Sequence, residues 1–108
     1  MRAKMGWTMT NKNYFSNLGL AMRAGKLVTG EESVLKAIRS GDAKLVIMAE
    51  DAADNTSKKF QDKCRSYDVP LLVLGNREEL GSSIGKEARV TIAVVDDGFA
   101  RMLKKYRV

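Results

Sequence analysis

Three short apolar runs constrain this chain more than any other feature. Leu45–Ala49 (LVIMA), Leu71–Leu74 (LLVL) and Val90–Val95 (VTIAVV) are near-continuous rather than alternating. A strand with one wet face alternates apolar and polar residues, so a continuous run bounded by turn residues predicts a strand covered on both faces. The segments between the runs carry helical spacing. Phe15, Leu18 and Met22, with Leu20 and Ala21, predict a helix that Gly25 ends as a C-cap glycine. Lys26–Thr29 is a short extended candidate. Gly30 then opens a second helix with Val34, Leu35 and Ile38 inward and Gly41 at its end. Asp54–Thr56 offer N-cap chemistry for a helix carrying Phe60 and Cys64 inward, which must stop before Pro70. Arg77–Ile84, between Gly75 and Gly85, predicts a short helix. Asp97 caps a last one, with Phe99, Met102 and Leu103 inward and Arg101, Lys104, Lys105 and Arg107 outward. Strands alternating with helices predict an α/β domain with helices on both faces of a small sheet.

The length of 108 residues suits one domain, and an apolar content of 44% is enough for a core. Residues 1–12 are polar, Met-rich and aperiodic and are expected to form a flexible leader, leaving residues 13–108 as the domain. No run approaches the roughly 20 apolar residues of a membrane span, and Met1–Thr10 lacks the apolar stretch of a signal peptide. A cytoplasmic protein without membrane attachment is expected. Cys64 is the only cysteine and histidine is absent. Zinc sites of cysteine and histidine, an internal disulfide, and Ser-His or Cys-His catalytic pairs are thereby excluded. No catalytic residue, metal site or cofactor is expected.

The net charge of +6 is unevenly spread. Residues 1–44 hold eight Lys/Arg against three Asp/Glu, a balance of +5; residues 45–108 hold eleven against ten, a balance of +1. A basic region suits polyanion binding, since neutralised phosphates release counterions. It also suits simple solvation, and composition alone does not decide between them.

The segment Gly25–Lys36 (GKLVTGEESVLK) is the first candidate site. A helix start exposes free N–H groups and partial positive charge. Gly30 permits close backbone approach, and Lys26 and Lys36 supply cations. Glu31 and Glu32 would repel phosphate, so their place in the first turn has two readings. They can favour the helix dipole, or they can accept N–H donors from guanine edges exposed in structured RNA. Spacing alone favours the first. Leu80–Arg89 is a second candidate, with glycines like those of a phosphate loop but no GxxxxGK[ST]; an ordinary helix-to-strand connection is the simpler reading. The basic face of the last helix reads as a solvated helix end. Glu50, Asp51 and Asp54 read as loop and cap residues rather than a magnesium site, Cys64 as packing, and Tyr14 and Phe15 as core or staple residues.

The run Leu18–Ile38 (LGLAMRAGKLVTGEESVLKAI), followed in order by Lys44–Ala52 (KLVIMAEDA) and Leu80–Lys86 (LGSSIGK), resembles the kink-turn-binding ribosomal-protein family of the L-seven-Ae / L-thirty-e type, most closely its bacterial YlxQ-like branch. The similarity spans roughly Tyr14 to Leu103. It implies an α/β fold, a three-layer α/β/α sandwich with a small mixed four-stranded sheet in a single domain. It further implies binding to kink-turns, where a bulge beside tandem sheared G·A pairs bends an RNA duplex. Carried onto matching positions, the RNA-binding residues would be Gly30, Glu31, Glu32, Ser33 and Lys36, with Lys26 before them. The loop of Lys86, Glu87, Ala88 and Arg89 would cover the extruded bulge nucleotide. The family commonly has Gly-Thr-Asn-Glu or Gly-Thr-Lys-Gln where this chain has Gly30-Glu31-Glu32-Ser33. Either Glu32 reads the base from one position earlier, or affinity and sequence preference differ.

The expected protein is therefore a monomeric, non-enzymatic binder of structured RNA, such as rRNA or an mRNA leader, acting on the ribosome or in regulation. A ribosome-associated protein–protein adaptor is the alternative, and a large apolar surface patch would favour it. An enzymatic reading rests on likeness to the RNA-presenting domain beside some RNA methyltransferase domains, and no catalytic constellation accompanies it.

Overall fold

Two of the apolar runs, Leu45–Ala49 and Val90–Val95, become strands with layers to face on both sides, and Leu71–Leu74 becomes a strand that is exposed at Val73. A computed structural model gives the backbone from Arg2 to Lys105 and the side chains from Asn13 to Lys105. The leader expected over residues 1–12 and the outward Arg107 fall, but for the helical backbone course from Arg2, outside the described residues. The elements run α1 (Arg2–Arg23), β1 (Leu27–Thr29), α2 (Glu31–Ser40), β2 (Leu45–Met48), α3 (Asp54–Ser66), β3 (Leu71–Val73), α4 (Arg77–Ser83), β4 (Thr91–Val94) and α5 (Asp97–Lys104).

The four strands form one mixed sheet in the order β1-β4-β2-β3. β4 is antiparallel to both β1 and β2, and β2 is parallel to β3. Strands β1, β2 and β3 therefore all point the same way, with β4 running back between β1 and β2. The register sets Thr29 opposite Ile92, and Met48 opposite both Thr91 and Val73.

Alternate residues of the sheet enter two cores. Leu45, Ile47, Ile92, Val94 and Leu72 pack with Tyr14, Leu18, Leu80, Ile84 and Leu103 from α1, α4 and α5. Val46, Met48 and Ala93 pack with Val34, Ala37, Ile38, Phe60 and Cys64 from α2 and α3. This is the expected α/β/α sandwich. β2 and β4 are buried at every residue, as their continuous patterns require.

Four local expectations are corrected. The buried stripe of α2 is Val34, Ala37 and Ile38, with Leu35 only half-buried. α3 starts at Asp54 after Ala53, and among the described residues no side chain caps it, so Asp54 lies in the first turn instead of supplying the cap. β3 is an edge strand, and Val73 is exposed rather than buried on both faces. Asp96, not Asp97, caps α5, its carboxylate accepting from the Phe99 N–H at 2.9 Å.

Candidate RNA interface

Because β1, β2 and β3 run together, their carboxyl ends lie at one pole of the sheet, and each leads into the N-terminus of α2, α3 or α4. Three helix N-termini with their partial positive charges thus gather there. Ligands of open α/β sheets commonly sit outside the carboxyl ends of the strands. The loop from α4 to β4 arrives at the same pole, since β4 starts there with Thr91.

Loop-to-loop bonds hold the pole together. The Arg77 side chain pairs with Asp51 at 3.2 Å and donates to the Asp51 carbonyl at 2.7 Å, while the Arg77 N–H donates to the Asp51 carboxylate. Glu50 N–H donates to the Gly75 carbonyl at 2.7 Å. Asp51 is thereby occupied by an arginine. Asn76 closes a reciprocal capping box with Glu79 at the start of α4.

At the N-terminus of α2, Gly30 has φ 96° and ψ 141°, a conformation that side-chain-bearing residues rarely adopt. Among the described residues no side chain caps this helix. The Glu31 carboxylate instead pairs with Lys59 of α3. Glu32, Ser33 and Lys36 are exposed and line a shallow groove with Leu35 and Arg39. Among the described residues Glu32 has no ion-pair partner, so the two adjacent acids differ: one is neutralised and one is free.

The loop after α4 is built by backbone. Lys86 N–H donates to the Gly81 carbonyl and Gly85 N–H to that of Ser82, the paired bonds of a Schellman ending. Arg89 N–H then donates to the Arg77 carbonyl at 2.9 Å. The Arg89 guanidinium donates to the Ala88 carbonyl at 3.0 Å and the Glu87 carbonyl at 3.3 Å, and lies 3.4 Å from the Thr29 hydroxyl at the end of β1. It fastens the loop to the strand that leads into Gly30.

The two segments singled out in the sequence therefore meet. Gly30, Glu31, Ala88 and Arg89 share a cleft of about 420 Å³ with Thr29, Thr56 and Arg77. Lys86 and Glu87 are exposed on the loop beside it. Lys26 does not join them: it stands at the other end of β1, where its carbonyl accepts from the Val95 N–H. The sequence marks Thr56 only as cap chemistry and does not mark Lys59 or Arg77 as site residues. They come from α3 and α4, and only the parallel run of β1, β2 and β3 brings them beside Gly30.

The domain is a three-layer α/β/α sandwich in which the N-termini of α2 and α3, neither capped by a side chain among the described residues, meet a backbone-fastened loop. Residues 12–104 match the Ribosomal protein L7Ae/L30e/S12e/Gadd45 family, and the chain belongs to it. The chain is 54% identical to the RNA-binding protein YlxQ of Bacillus subtilis over 88% of its own length and 95% of the relative's. A solved structure of a Bacillus halodurans C protein superimposes with a TM-score of 0.84 at 52% identity, covering 86% of this chain and 94% of that one. The Giardia lamblia 15.5kD RNA binding protein superimposes with a TM-score of 0.76 at 18% identity, covering 94% and 84%, which is a likeness of fold. The family is one of ribosomal proteins and not of enzymes.

Proposed function

We propose that this protein binds kink-turn RNA through the pole that carries Gly30. The meeting of the free α2 N-terminus with the loop of Lys86–Arg89 on one cleft is the observation that carries this reading. The kinship with a protein named as RNA-binding supports it. Glu32, with its free carboxylate, accepts N–H donors of a sheared guanine, and Ser33 and Lys36 in the same groove face the sugar-phosphate backbone. Lys59 keeps Glu31 from repelling that backbone. The extruded bulge nucleotide enters the cleft under Ala88 and Arg89. Structured RNA of the ribosome or of an mRNA leader, met in the cytoplasm by a monomer, is the fitting partner.

The adaptor alternative needs a continuous apolar surface. Among the described residues the exposed large apolar side chains are Leu20, Tyr67 and Val73, one each on α1, at the end of α3 and on β3. The test is a gel shift with a kink-turn duplex and with the same duplex whose G·A pairs are replaced by Watson–Crick pairs, at two salt concentrations. Tight, salt-sensitive binding of the first alone is expected. Equal affinity for both overturns kink-turn recognition, and binding of neither favours the adaptor.

A further inference from the structure

The opposite pole of the sheet holds a second cleft. At about 620 Å³ it is the larger of the two, within the range of about 300–1,000 Å³ usual for ligand clefts. It is lined from separate elements: Arg39 by α2, Lys44 by the loop before β2, Tyr67 by the end of α3, and Arg101 and Lys104 by α5. Lys26 stands at the same end of the sheet.

Two features set this cleft apart from solvated helix ends. First, its cations are unsatisfied by acids. Asp68 and Asp97 line the same cleft, yet among the described residues no carboxylate lies within ion-pair distance of Arg39, Lys44, Arg101 or Lys104. The lining keeps a net charge of +2, from four cations and two acids. Cations that merely balanced neighbouring acids would be paired with them. Second, Tyr67 lines this cleft and is 46% exposed, an aromatic residue open to contact. Cations with an exposed aromatic platform are the chemistry of single-stranded nucleic-acid binding: the cations follow the backbone and the ring stacks on an unpaired base. A duplex keeps its bases stacked on each other and offers none to Tyr67. An acidic peptide would use the cations but not the ring.

We propose that this cleft is a second RNA site, which takes a single-stranded segment by stacking a base on Tyr67 and holding phosphates with Lys44, Arg101 and Lys104. The protein then holds two parts of an RNA at once, at opposite ends of its sheet. Arg39 borders both this cleft and the groove of Glu32 and Lys36, while Tyr67, Lys44, Arg101 and Lys104 belong to this cleft alone.

The test is fluorescence anisotropy of the full chain with a short labelled single-stranded RNA that lacks self-complementarity, across a salt series. Tyr67→Ala is expected to weaken binding at least about fivefold, since base stacking on an aromatic ring is worth that or more. Tyr67→Phe retains the ring and is expected to retain the affinity. Lys44→Ala with Lys104→Ala should flatten the log–log salt slope by about 0.7 for each cation removed. Lys58→Ala, an exposed cation of α3 that lines neither cleft, should leave this binding unchanged, so a loss in the cleft variants is specific to the cleft. Absence of single-strand binding, equal loss in Lys58→Ala, or a Tyr67→Ala variant that binds like the parent overturns the proposal. Competition by polyglutamate as effective as that by unlabelled RNA also overturns it and marks the cleft as a surface for acidic protein.

Discussion

Gly81 of α4 lies directly against the backbone of Glu87: a β-carbon at Gly81 would stand 1.9 Å from the Glu87 carbonyl oxygen and 2.6 Å from its carbonyl carbon. Backbone cannot swing aside as the end of a flexible side chain can. The loop of Lys86–Arg89 therefore owes its seat to an absent side chain. Gly81→Ala is expected to displace the loop, lower stability by about 1–3 kcal/mol as overpacking does, and weaken RNA binding through Ala88 and Arg89. Ser82→Ala, on the exposed next residue, should change neither. Urea denaturation with a parallel gel shift checks both; an unchanged midpoint in Gly81→Ala would show that the loop has room to move.

That contact marks where the sequence could be read and where it could not. The glycines of Leu80–Arg89 were visible, but likeness to a phosphate loop is a local signal, and the role of Gly81 is set by a residue six places on that folds back over it. The sheet was legible because Leu45–Met48 and Thr91–Val94 bury both faces and leave a continuous apolar trace. β3 was legible as a strand and not as an edge, since Leu71–Val73 is just as apolar while among the described residues no strand pairs beyond it. The cap of α5 slipped by one residue because Asp96 and Asp97 are chemically identical and only backbone conformation selects between them. Gly30 and Arg89 were both candidates, but their union across the sheet depends on strand order. Lys26 shows the converse: four residues from Gly30 in sequence, it is a strand's length away in space, roughly 3.3 Å per residue.

Arg89 anchors the loop through the Thr29 hydroxyl and two loop carbonyls. Arg89→Lys keeps the charge and loses the fork of donors that spans these acceptors. If the side chain acts by holding the loop, Arg89→Lys loses kink-turn affinity nearly as far as Arg89→Ala, and amide hydrogen exchange of residues 85–89 rises in both. If charge alone matters, the lysine variant binds like the parent.

The Lys59–Glu31 pair is half exposed on both sides, so its contribution to stability is expected to stay below about 1 kcal/mol. Its effect on RNA binding should be larger. Lys59→Ala leaves the Glu31 carboxylate uncompensated at the interface and is expected to weaken binding of any RNA there. Adding Glu31→Gln should restore most of the loss. A double-mutant cycle on affinity measures the coupling, and additive losses would mean that Lys59 touches RNA itself rather than neutralising Glu31.

Burial pushes the Cys64 thiol from its ordinary value of 9.0 up to about 11. Its side chain packs in the core between α2, α3 and the sheet. Below pH 9 the thiol is protonated in both folded and unfolded chains, and this contribution to stability is complete. Between pH 9 and 11 the unfolded chain releases a proton that the folded one keeps, so stability falls as pH rises. Burial raises the Tyr14 phenol too, which adds to the fall at still higher pH. Urea midpoints are therefore expected to decline from pH 9 upward, less steeply in Cys64→Ala than in the parent. In the native protein at pH 8, disulfide reagents should label Cys64 far more slowly than in urea. A flat profile through pH 11 would mean that the thiol is not shielded.

The two acids at the start of α2 make separable predictions because only one is paired. Lys36 contributes charge to a groove it shares with Glu32, and a phosphate contact carries no sequence information. Lys36→Ala is expected to weaken binding to kink-turn and control duplexes alike and to flatten the salt dependence by about one unit on a log–log scale. Glu32→Ala removes negative charge, so on electrostatics alone it should tighten binding to every RNA. If the carboxylate accepts guanine N–H donors, it instead weakens binding to the duplex with tandem G·A pairs, by about 1–3 kcal/mol for the loss of a base contact, while the Watson–Crick control tightens slightly. Opposite signs on the two RNAs identify a base reader; the same sign on both identifies a residue that serves only the helix dipole.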